Sequence, residues 1–344
     1  MPAIGRILQS GLMPPTSLQI ATEREETIYH PAPLITLQPG RGAHFDLFIA
    51  VPTRAGQKYV LYKSADLDFS ETKRVELIDR GVKFLYVADA DAASYFSFVD
   101  RTVGEVLRNE SATREERSAM LYKTTAALVQ ATFTRPDSPV LIKTNRTMVE
   151  HTIQALEADP MLLRTLAATF ALDYSLYSHA VHVSTLGAAI LMEIMGTEAR
   201  VKEAAMGFLL HDIGKSRVPM QILRKTTILT QGEMKEVERH PEYGVSLMKP
   251  HIEVGPLALE IIHTHHEKLD GRGYPRRLPP ERLSIETRIC SLVDIYDALT
   301  SNRVYKPAMR GIDALTLMRD KMYAELDMGL LKEMIKILGP RDKK

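Results

Sequence analysis

The 344-residue chain has little of three things that usually place a protein in a class. A single cysteine, Cys290, excludes an intramolecular disulfide and favours a reducing compartment, and its apolar neighbours predict a buried structural thiol. The formal net charge is only +1, which argues against a nucleic-acid polymer as partner, because such binding needs a basic face. The sequence also shows no run of roughly 18 apolar residues, so we expect no membrane contact.

The start of the chain carries no targeting signal that we can identify. Arg6 is not followed by an apolar core and a small-residue cleavage site, so a signal peptide is not expected. Together with the single cysteine, this predicts a cytoplasmic protein. Residues 1–32 mix polar and apolar side chains around Pro14 and Pro15, and they predict a flexible lead-in.

Residues 33–110 have the pattern of a small α/β domain. Alternating apolar residues and turn signals predict short strands and two helices. The strands are expected at 34–37, 45–51, 59–62 and 84–87, and the helices at 71–80, after an N-cap at Ser70, and at 91–107. No glycine-rich phosphate loop or cysteine–histidine cluster occurs within residues 33–110, so we expect a sensory, docking or oligomerising role for this domain.

From residue 113 to residue 344 the pattern is helical. Leu121, Leu128 and Val129 fall on one helix face, and Leu176–Met195 forms a long apolar helix ended by Gly196. With no internal repeat, these residues predict one all-α bundle. The chain is therefore expected to be an α+β protein, with a small N-terminal α/β domain followed by a helical domain.

The helical half concentrates residues that bind metals. The second half of the chain, residues 173–344, contains eight of the eleven histidines, and Asp294 lies in the apolar run CSLVDIYDAL, where an ionised carboxylate needs a partner. Imidazole and carboxylate suit iron, manganese, nickel or zinc, and one aspartate can bridge two ions. One histidine near a helix end, such as His211, is more often structural. A metal centre is favoured by seven residues together, which are His179, His211, His240, His265 and His266 with Asp212 and Asp294.

Several motifs, in the expected order over residues 173–320, make a resemblance specific. They are His211-Asp-Ile-Gly-Lys215, Arg239-His-Pro241, His265-His-Glu-Lys-Leu-Asp-Gly-Arg-Gly-Tyr-Pro275 and Val293-Asp-Ile-Tyr-Asp-Ala-Leu-Thr-Ser-Asn-Arg-Val-Tyr-Lys306. The chain resembles the HD-GYP subfamily of the HD superfamily of metal-dependent phosphohydrolases. This implies an all-α HD-type bundle and hydrolysis of the bacterial second messenger cyclic di-GMP to pGpG or GMP.

The resemblance also implies roles for single residues. One metal would be held by His179, His211, Asp212 and Asp294, and a second by His240, His265 and His266, with Asp212 bridging. A hydroxide shared by the metals would attack phosphorus, and Lys215 would contact the scissile phosphate. Further ligand contacts are implied for Asp173, Tyr274, Arg303 and Lys306. Iron is the first expectation for both metals, with manganese, nickel or zinc as alternatives.

Two departures from the family pattern leave alternatives open. Some relatives bind a third metal through a glutamate four residues before the first histidine, where this chain has Ser175, so we expect two metals and pGpG as product. Many relatives have a Lys-Pro-Gly turn where this chain has Arg224-Lys-Thr-Thr-Ile228. A module that binds cyclic di-GMP without cleaving it, and a phosphohydrolase of another nucleotide, therefore remain alternatives.

Partners other than the nucleotide rest on the resemblance alone. The GYP segment, residues 271–275, is the region through which relatives contact diguanylate cyclases with GGDEF domains. A homodimer is compatible with the sequence. His182, His251 and His263 match no ligand position and are not assigned to a metal.

Overall fold

The N-terminal unit is built on an antiparallel sheet of four strands. The computed structural model describes residues 27–53, 56–170, 175–197, 199–301 and 307–339. The strands are β1 (Tyr29–Pro33), β2 (Leu47–Thr53), β3 (Gly56–Lys63) and β4 (Phe84–Ala88), in the spatial order β1-β4-β2-β3. Helix α1 (Glu71–Asp79) precedes β4, and helix α2 (Ala92–Arg108) follows it.

The first strand differs from the prediction. The strand expected at 34–37 is wrong, because Leu34–Thr36 is a 3-10 helix in which the Thr36 hydroxyl donates to the Pro33 carbonyl. The strand is instead Tyr29–Pro33, of which all but the last residue belong to the predicted lead-in. Its two prolines hid it, since proline removes a ladder donor. They are tolerated because β1 lies at the edge of the sheet formed by the described strands, where it pairs with β4 alone. Residues 1–26 lie outside the described residues.

The other predicted elements of this unit are confirmed. Strands form at 47–53, 56–63 and 84–88, and helix α1 begins after Ser70, whose hydroxyl accepts the Lys73 backbone N–H. All described strand pairs are antiparallel, so the unit lacks a parallel crossover. Its core is apolar and includes Phe45, Tyr95 and Phe98, whose rings meet edge to face.

Helices make up the second part of the chain, as predicted. They are α3 (Arg114–Thr134), α4 (Pro139–Ala158), α5 (Leu162–Phe170), α6 (Leu176–Met195), α7 (Ala199–Leu210), α8 (Met220–Leu223), α9 (Gln231–Val237), α10 (His240–Met248), α11 (Pro256–Thr264), α12 (Ile285–Thr300), α13 (Gly311–Lys321) and α14 (Met328–Leu338). A 3-10 segment, Ile213–Arg217, follows α7. The predicted face of α3 is confirmed, because Leu121, Leu128 and Val129 are buried.

Helix α6 is the central helix of the bundle and packs against α3, α7 and α12. By length and composition it is long and apolar enough to cross a membrane, which the sequence prediction did not allow for. However, 72% of its apolar stretch is buried inside the protein, and its buried face carries His179 and His182. Burial against three helices makes α6 the core helix of this domain.

The sheet unit and the bundle share one hydrophobic core, and polar contacts fix their junction. His30 on β1 is buried, and its Nδ1 lies 2.6 Å from the hydroxyl of Ser138, the N-cap of α4. The Arg135 guanidinium donates to the Tyr29 carbonyl at 2.9 Å. Helix α3 lies between the two parts, because it contacts β1 and the 3-10 helix on one side and α6 on another.

Candidate metal centre

The His211-Asp212 pair lies where α7 ends and the 3-10 segment begins. Gly214 then lets this segment lie directly on α10. A Cβ on Gly214 would overlap the His240 carbonyl oxygen and come within 2.5 Å of the Gly244 nitrogen. Only glycine permits this approach, and it brings the Asp212 carboxylate to 3.3 Å from His240 Nε2. The glycine of the HDIGK motif therefore sets the distance between two candidate ligands.

The predicted ligands come together as two groups of side chains. The first group contains His179, His211 and Asp294, and the second contains Asp212, His240, His265 and His266. Within each group, one ligand atom per residue lies within 4.8 Å of the others. These are the seven residues singled out in the sequence, drawn from α6, α10, α12 and the ends of α7 and α11.

Asp212 lies between the two groups. One carboxylate oxygen, Oδ2, is 3.5 Å from His211 Nε2 and 3.8 Å from His179 Nε2. The other oxygen, Oδ1, is 3.3 Å from His240 Nε2 and 3.9 Å from His265 Nε2. Asp294 faces both groups as well, at 3.2 Å from His179 Nε2 and 3.9 Å from His266 Nδ1. A carboxylate with one oxygen toward each group has the geometry of a bridge.

Backbone carbonyls fix the orientation of three of the imidazoles. The Nδ1–H groups of His211, His240 and His265 donate to the carbonyls of residues 208, 237 and 262, at 2.7, 2.8 and 3.0 Å. Each carbonyl lies three residues earlier, in the last turn of a helix, where carbonyls lack an intrahelical donor. Since Nδ1 carries the proton, Nε2 carries the lone pair and is the atom available to a metal.

These residues fit a divalent metal. His240 Nε2 and His265 Nε2 face each other at 3.1 Å, and with Nδ1 protonated in both rings their lone pairs repel unless a cation lies between them. Among the described residues, His211 Nε2 and Asp212 Oδ1 are buried without a hydrogen-bond partner. Buried polar atoms are normally satisfied, and metal ligation satisfies both of these. The mixed nitrogen and oxygen donors suit first-row divalent ions.

The electrostatics keep most of the cluster in the form that binds metals. Burial favours neutral Asp212, but Lys215 and the nearby imidazoles outweigh burial and hold its pKa well below the usual value. Burial lowers the pKa of His266 to about 3, so its imidazole is neutral. Burial also disfavours the charged form of His179, but Asp294 and Asp297 outweigh it and raise the pKa of that imidazole to about 9. A metal therefore competes with a proton at His179.

The segment after the histidine pair folds back over the cluster. Glu267 is buried, and its two oxygens accept the backbone N–H groups of Arg276 at 2.7 Å and Leu278 at 3.0 Å. A Cβ on Gly273 would overlap the backbone of residues 266–268, so glycine is required there. The ring of the next residue, Tyr274, stacks on His266 with centroids 4.6 Å apart. The GYP segment is thus a rigid wall beside the second group.

Lys215 and Tyr274, for which the sequence predicts substrate contacts, border the cluster. Lys215 Nζ lies 2.5 Å from Asp212 Oδ2, and its side chain is partly exposed. Asp173, Arg303 and Lys306 lie outside the described residues. Ser175 is the N-cap of α6, and its hydroxyl accepts the Ser178 backbone N–H. The Ser175 hydroxyl is therefore engaged as a cap of the α6 N-terminus.

The loop that departs from the family pattern joins α8 to α9. Lys225 pairs with Glu233 at 2.5 Å, and Thr230 caps α9 in a capping box with the same glutamate. Ile228 projects into solvent and is 94% exposed. The loop is therefore tied to the N-terminus of α9 by polar contacts.

Sequence reasoning missed two residues beside the ligands. Asp297 is buried one helical turn after Asp294 and accepts hydrogen bonds from His179 Nδ1 and His182 Nδ1, both at 2.7 Å. His182 matched no ligand position in the sequence and was not assigned to a metal. The signal was present, because Asp294 and Asp297 are spaced i,i+3 in one apolar run, as are His179 and His182. Cys290 is buried as predicted, and burial raises its pKa.

The geometry agrees with likenesses to known proteins. Residues 139–330 match the HD domain family. The chain is 34% identical over 180 residues to a cyclic di-GMP phosphodiesterase from Pseudomonas aeruginosa, which is 52% of this chain and 43% of that protein. It is 40% identical over 126 residues to a cyclic di-GMP phosphodiesterase response regulator from Xanthomonas campestris, covering 35% of this chain and 32% of the relative.

A further relative and a solved structure complete the comparison. A 3'3'-cGAMP-specific phosphodiesterase from Vibrio cholerae is 39% identical over 119 residues, which cover 35% of this chain and 26% of that protein. The matched segments thus span less than half of these relatives. A HDG"Y"P protein from Bdellovibrio bacteriovorus has the same fold, with a TM-score of 0.66 at 16% identity over 90% of this chain and 99% of the other.

Proposed function

We propose, from the premise that the chain belongs to the HD domain family and to its HD-GYP branch, that it is a metal-dependent phosphodiesterase of cyclic di-GMP. The observation that carries the proposal is Asp212, whose carboxylate has one oxygen toward each group of candidate ligands. Relatives that share this region are named for cleavage of cyclic dinucleotides.

Each group of side chains would hold one divalent ion, with Asp212 common to both. When bound, two such ions supply Lewis acidity and activate water for attack on phosphorus. Iron is our first choice, and manganese, nickel and zinc are alternatives with the same ligand preferences. The chain's own contribution is to orient the histidines, to keep the carboxylates ionised and to seal the second group with the GYP segment.

Substrate contacts are proposed for residues around the cluster. Lys215 is a cation beside Asp212, and its side chain is partly exposed to solvent. It is therefore suited to contact the scissile phosphate. Tyr274 offers an aromatic ring edge beside His266 for the nucleotide. Asp173, Arg303 and Lys306 are proposed as further ligand contacts on the motif resemblance, the last two as cations for phosphate.

We propose pGpG as the end product. The family resemblance implies that complete hydrolysis to GMP goes with a third metal, and the position that would supply its glutamate is Ser175. A serine hydroxyl is a weak ligand for a first-row divalent ion, and this one is engaged as a helix cap. Two metals and one cleavage are therefore expected.

The experiment begins with anaerobic purification and elemental analysis of the full chain. The metal-loaded protein is then incubated with cyclic di-GMP, and products are separated by chromatography. We expect about two metals per chain, as in other two-metal phosphoryl-transfer sites. We also expect pGpG to accumulate. Tight binding of cyclic di-GMP with no product, under iron, manganese and nickel in turn, would overturn the enzymatic proposal and leave a binding module.

A second substrate, 3'3'-cGAMP, is favoured by one observation. Relatives named for cleavage of this dinucleotide are as similar to the chain as several that are named for cyclic di-GMP. Turnover of both dinucleotides in parallel, at matched concentrations, decides between them. We expect the larger kcat/KM for cyclic di-GMP, and the opposite order would reassign the substrate.

Partners and location are proposed on the resemblance and the composition. The GYP segment, residues 271–275, is proposed to contact GGDEF-domain diguanylate cyclases, and pull-down with such a domain tests this. We also propose a homodimer, which light scattering tests. For the N-terminal unit we propose a sensory or docking role. The single cysteine supports a cytoplasmic location.

A further inference from the structure

The carboxylate of Asp297 is held between two imidazoles of the same helix. Oδ2 accepts from His179 Nδ1 and Oδ1 accepts from His182 Nδ1, both at 2.7 Å. The two histidines are one turn apart on α6, so they present their rings on one face. The hydroxyl of Ser301 is 3.3 Å from Oδ2, so the carboxylate has several donors around it.

His179 needs this carboxylate because of its place in its helix. The other imidazoles with a fixed Nδ1–H, at 211, 240 and 265, use carbonyls from the last turn of a helix. His179 lies in the first turn of α6, where the backbone presents N–H groups and its carbonyls are taken into the helix. An acceptor for Nδ1–H must therefore come from a side chain, and Asp297 supplies it.

We propose that Asp297 is a positioning residue for the first metal position, and that His182 and Tyr122 fix it in turn. The inference deepens the proposed function and rests on it. An ionised carboxylate only accepts, so it holds the proton on Nδ1 of His179 and directs the Nε2 lone pair toward Asp294 and Asp212. It also makes the imidazole a stronger donor to a cation.

The second imidazole links this carboxylate to helix α3. The ring of His182 is parallel to that of Tyr122 at 5.7 Å between centroids, and its Nε2 lies 3.4 Å from the tyrosine hydroxyl. With the proton on Nδ1, Nε2 accepts from the phenol. His182 thus faces Tyr122 and Asp297, and its role is to hold the carboxylate. Helix α3, which carries Tyr122, also contacts the N-terminal unit. The hydrogen bonds through Tyr122, His182 and Asp297 therefore connect helix α3 to the first metal position.

The test compares Asp297→Leu with Asp297→Asn. Mn²⁺ is titrated calorimetrically into the metal-depleted full chain, and metal content is measured separately by elemental analysis. For Asp297→Leu we expect one of the two binding events to weaken by about 10- to 100-fold, the usual effect of losing such a partner. The event assigned to His240, His265 and His266 should keep the wild-type affinity.

The asparagine variant separates positioning from charge. Its amide oxygen still accepts from His179, while its NH₂ donates to His182, whose ring takes the other tautomer and donates to Tyr122. Asp297→Asn should therefore recover most of the affinity lost in Asp297→Leu. Equal loss in both variants would overturn the positioning role, because the negative charge alone would then explain it.

The matched control is Asp100→Leu. Asp100 forms a similar pair with His151, at 2.8 Å between α2 and α4 and away from the ligands. Asp100→Leu should leave both binding events unchanged. If it also lost metal, the weaker binding in Asp297→Leu would be explained by general destabilisation. Wild-type affinity at both positions in Asp297→Leu would overturn the inference even if the enzyme is active. Two bound metals without phosphodiesterase activity in the wild type would overturn only the proposed function.

Discussion

The two parts of the chain treat their buried polar groups in different ways. In the N-terminal unit, buried groups such as Lys63 and Thr36 are satisfied locally: the Lys63 ammonium donates to the Ala43 carbonyl at 2.6 Å, and the Thr36 hydroxyl donates to the Pro33 carbonyl. In the helical part, buried imidazoles and carboxylates converge on one point and leave His211 Nε2 and Asp212 Oδ1 without partners among the described residues. The first arrangement stabilises a fold, whereas the second is costly to bury without bound cations.

The largest expected effect is that of Asp212→Asn. The amide replaces an oxygen that faces one of the two ligand groups with an NH₂ donor and removes the charge that both groups share. We expect phosphodiesterase activity to fall by more than about 100-fold, beyond the loss typical of an outer partner, and metal content to fall at both positions. Steady-state kinetics and elemental analysis measure the two quantities.

The control for Asp212→Asn is the same change in the sheet unit. Asp89 lies 2.8 Å from the buried His30, so Asp89→Asn alters a histidine–carboxylate pair outside the cluster of candidate ligands. It should leave activity and metal content at the wild-type level. If Asp212→Asn retained both metals and full turnover, the contrast between the two parts of the molecule would be lost.

Removal of the metals should separate the two parts by their dynamics. Without cations, lone pairs of His240 and His265 face each other at 3.1 Å, so the surrounding helix ends should open more readily. Removal of a ligand that is present at 100 times its Kd lowers the free energy of unfolding by about 3 kcal/mol. Hydrogen exchange should accelerate around Asp212 and His265 after chelation, while strands β2 and β4 keep their protection. Uniform acceleration over both parts would contradict this.

The same contrast explains which features could be predicted from the sequence. The ligand residues were identified because metal chemistry restricts residue type and spacing, so His211-Asp212 and His265-His266 carry their own signal. Strand β1 was missed because nothing local in a proline-containing segment indicates that an edge position is available. Tertiary pairing with β4 decided its conformation.

Asp297 illustrates an intermediate case. The sequence shows its i,i+3 spacing from Asp294, but it does not show that His179 Nδ1–H needs a side-chain acceptor. That requirement arises because His179 lies in the first turn of α6. The motif glycines are similar: Gly214 and Gly273 permit close approaches that only the packed backbone reveals. Sequence therefore identified the atoms of the site, and the packing identified what orients them.

A smaller effect is expected at Gly214, where packing and site meet. Gly214→Ala places a methyl group against the His240 carbonyl and the Gly244 nitrogen, both backbone atoms that cannot turn aside. We expect the free energy of unfolding to fall by about 3 kcal/mol, as for severe overpacking, with weaker metal binding because Asp212 and His240 move apart. Urea denaturation and Mn²⁺ titration measure these changes.

The matched control for Gly214→Ala is Gly232→Ala on α9. A Cβ there meets nothing within 4 Å, and glycine is unfavourable inside a helix. This variant should be more stable than the wild type by about 0.5 to 1 kcal/mol, with unchanged metal affinity. Equal behaviour of the two alanine variants would show that the close approach at residue 214 is not what holds the 3-10 segment on α10.

The smallest effect is expected at the junction, with His30→Leu. The substitution leaves the Ser138 hydroxyl without the imidazole that lies 2.6 Å away at the start of α4, and it removes the contact with Asp89. We expect a loss of about 1 to 2 kcal/mol in the free energy of unfolding. The exposed His44 in the same unit provides the control His44→Leu, which should change stability much less. Metal content should be unchanged in both, because neither residue lies near the ligands. A loss of metal in His30→Leu alone would mean that the junction supports the site through α3, so that the two parts of the molecule are energetically coupled.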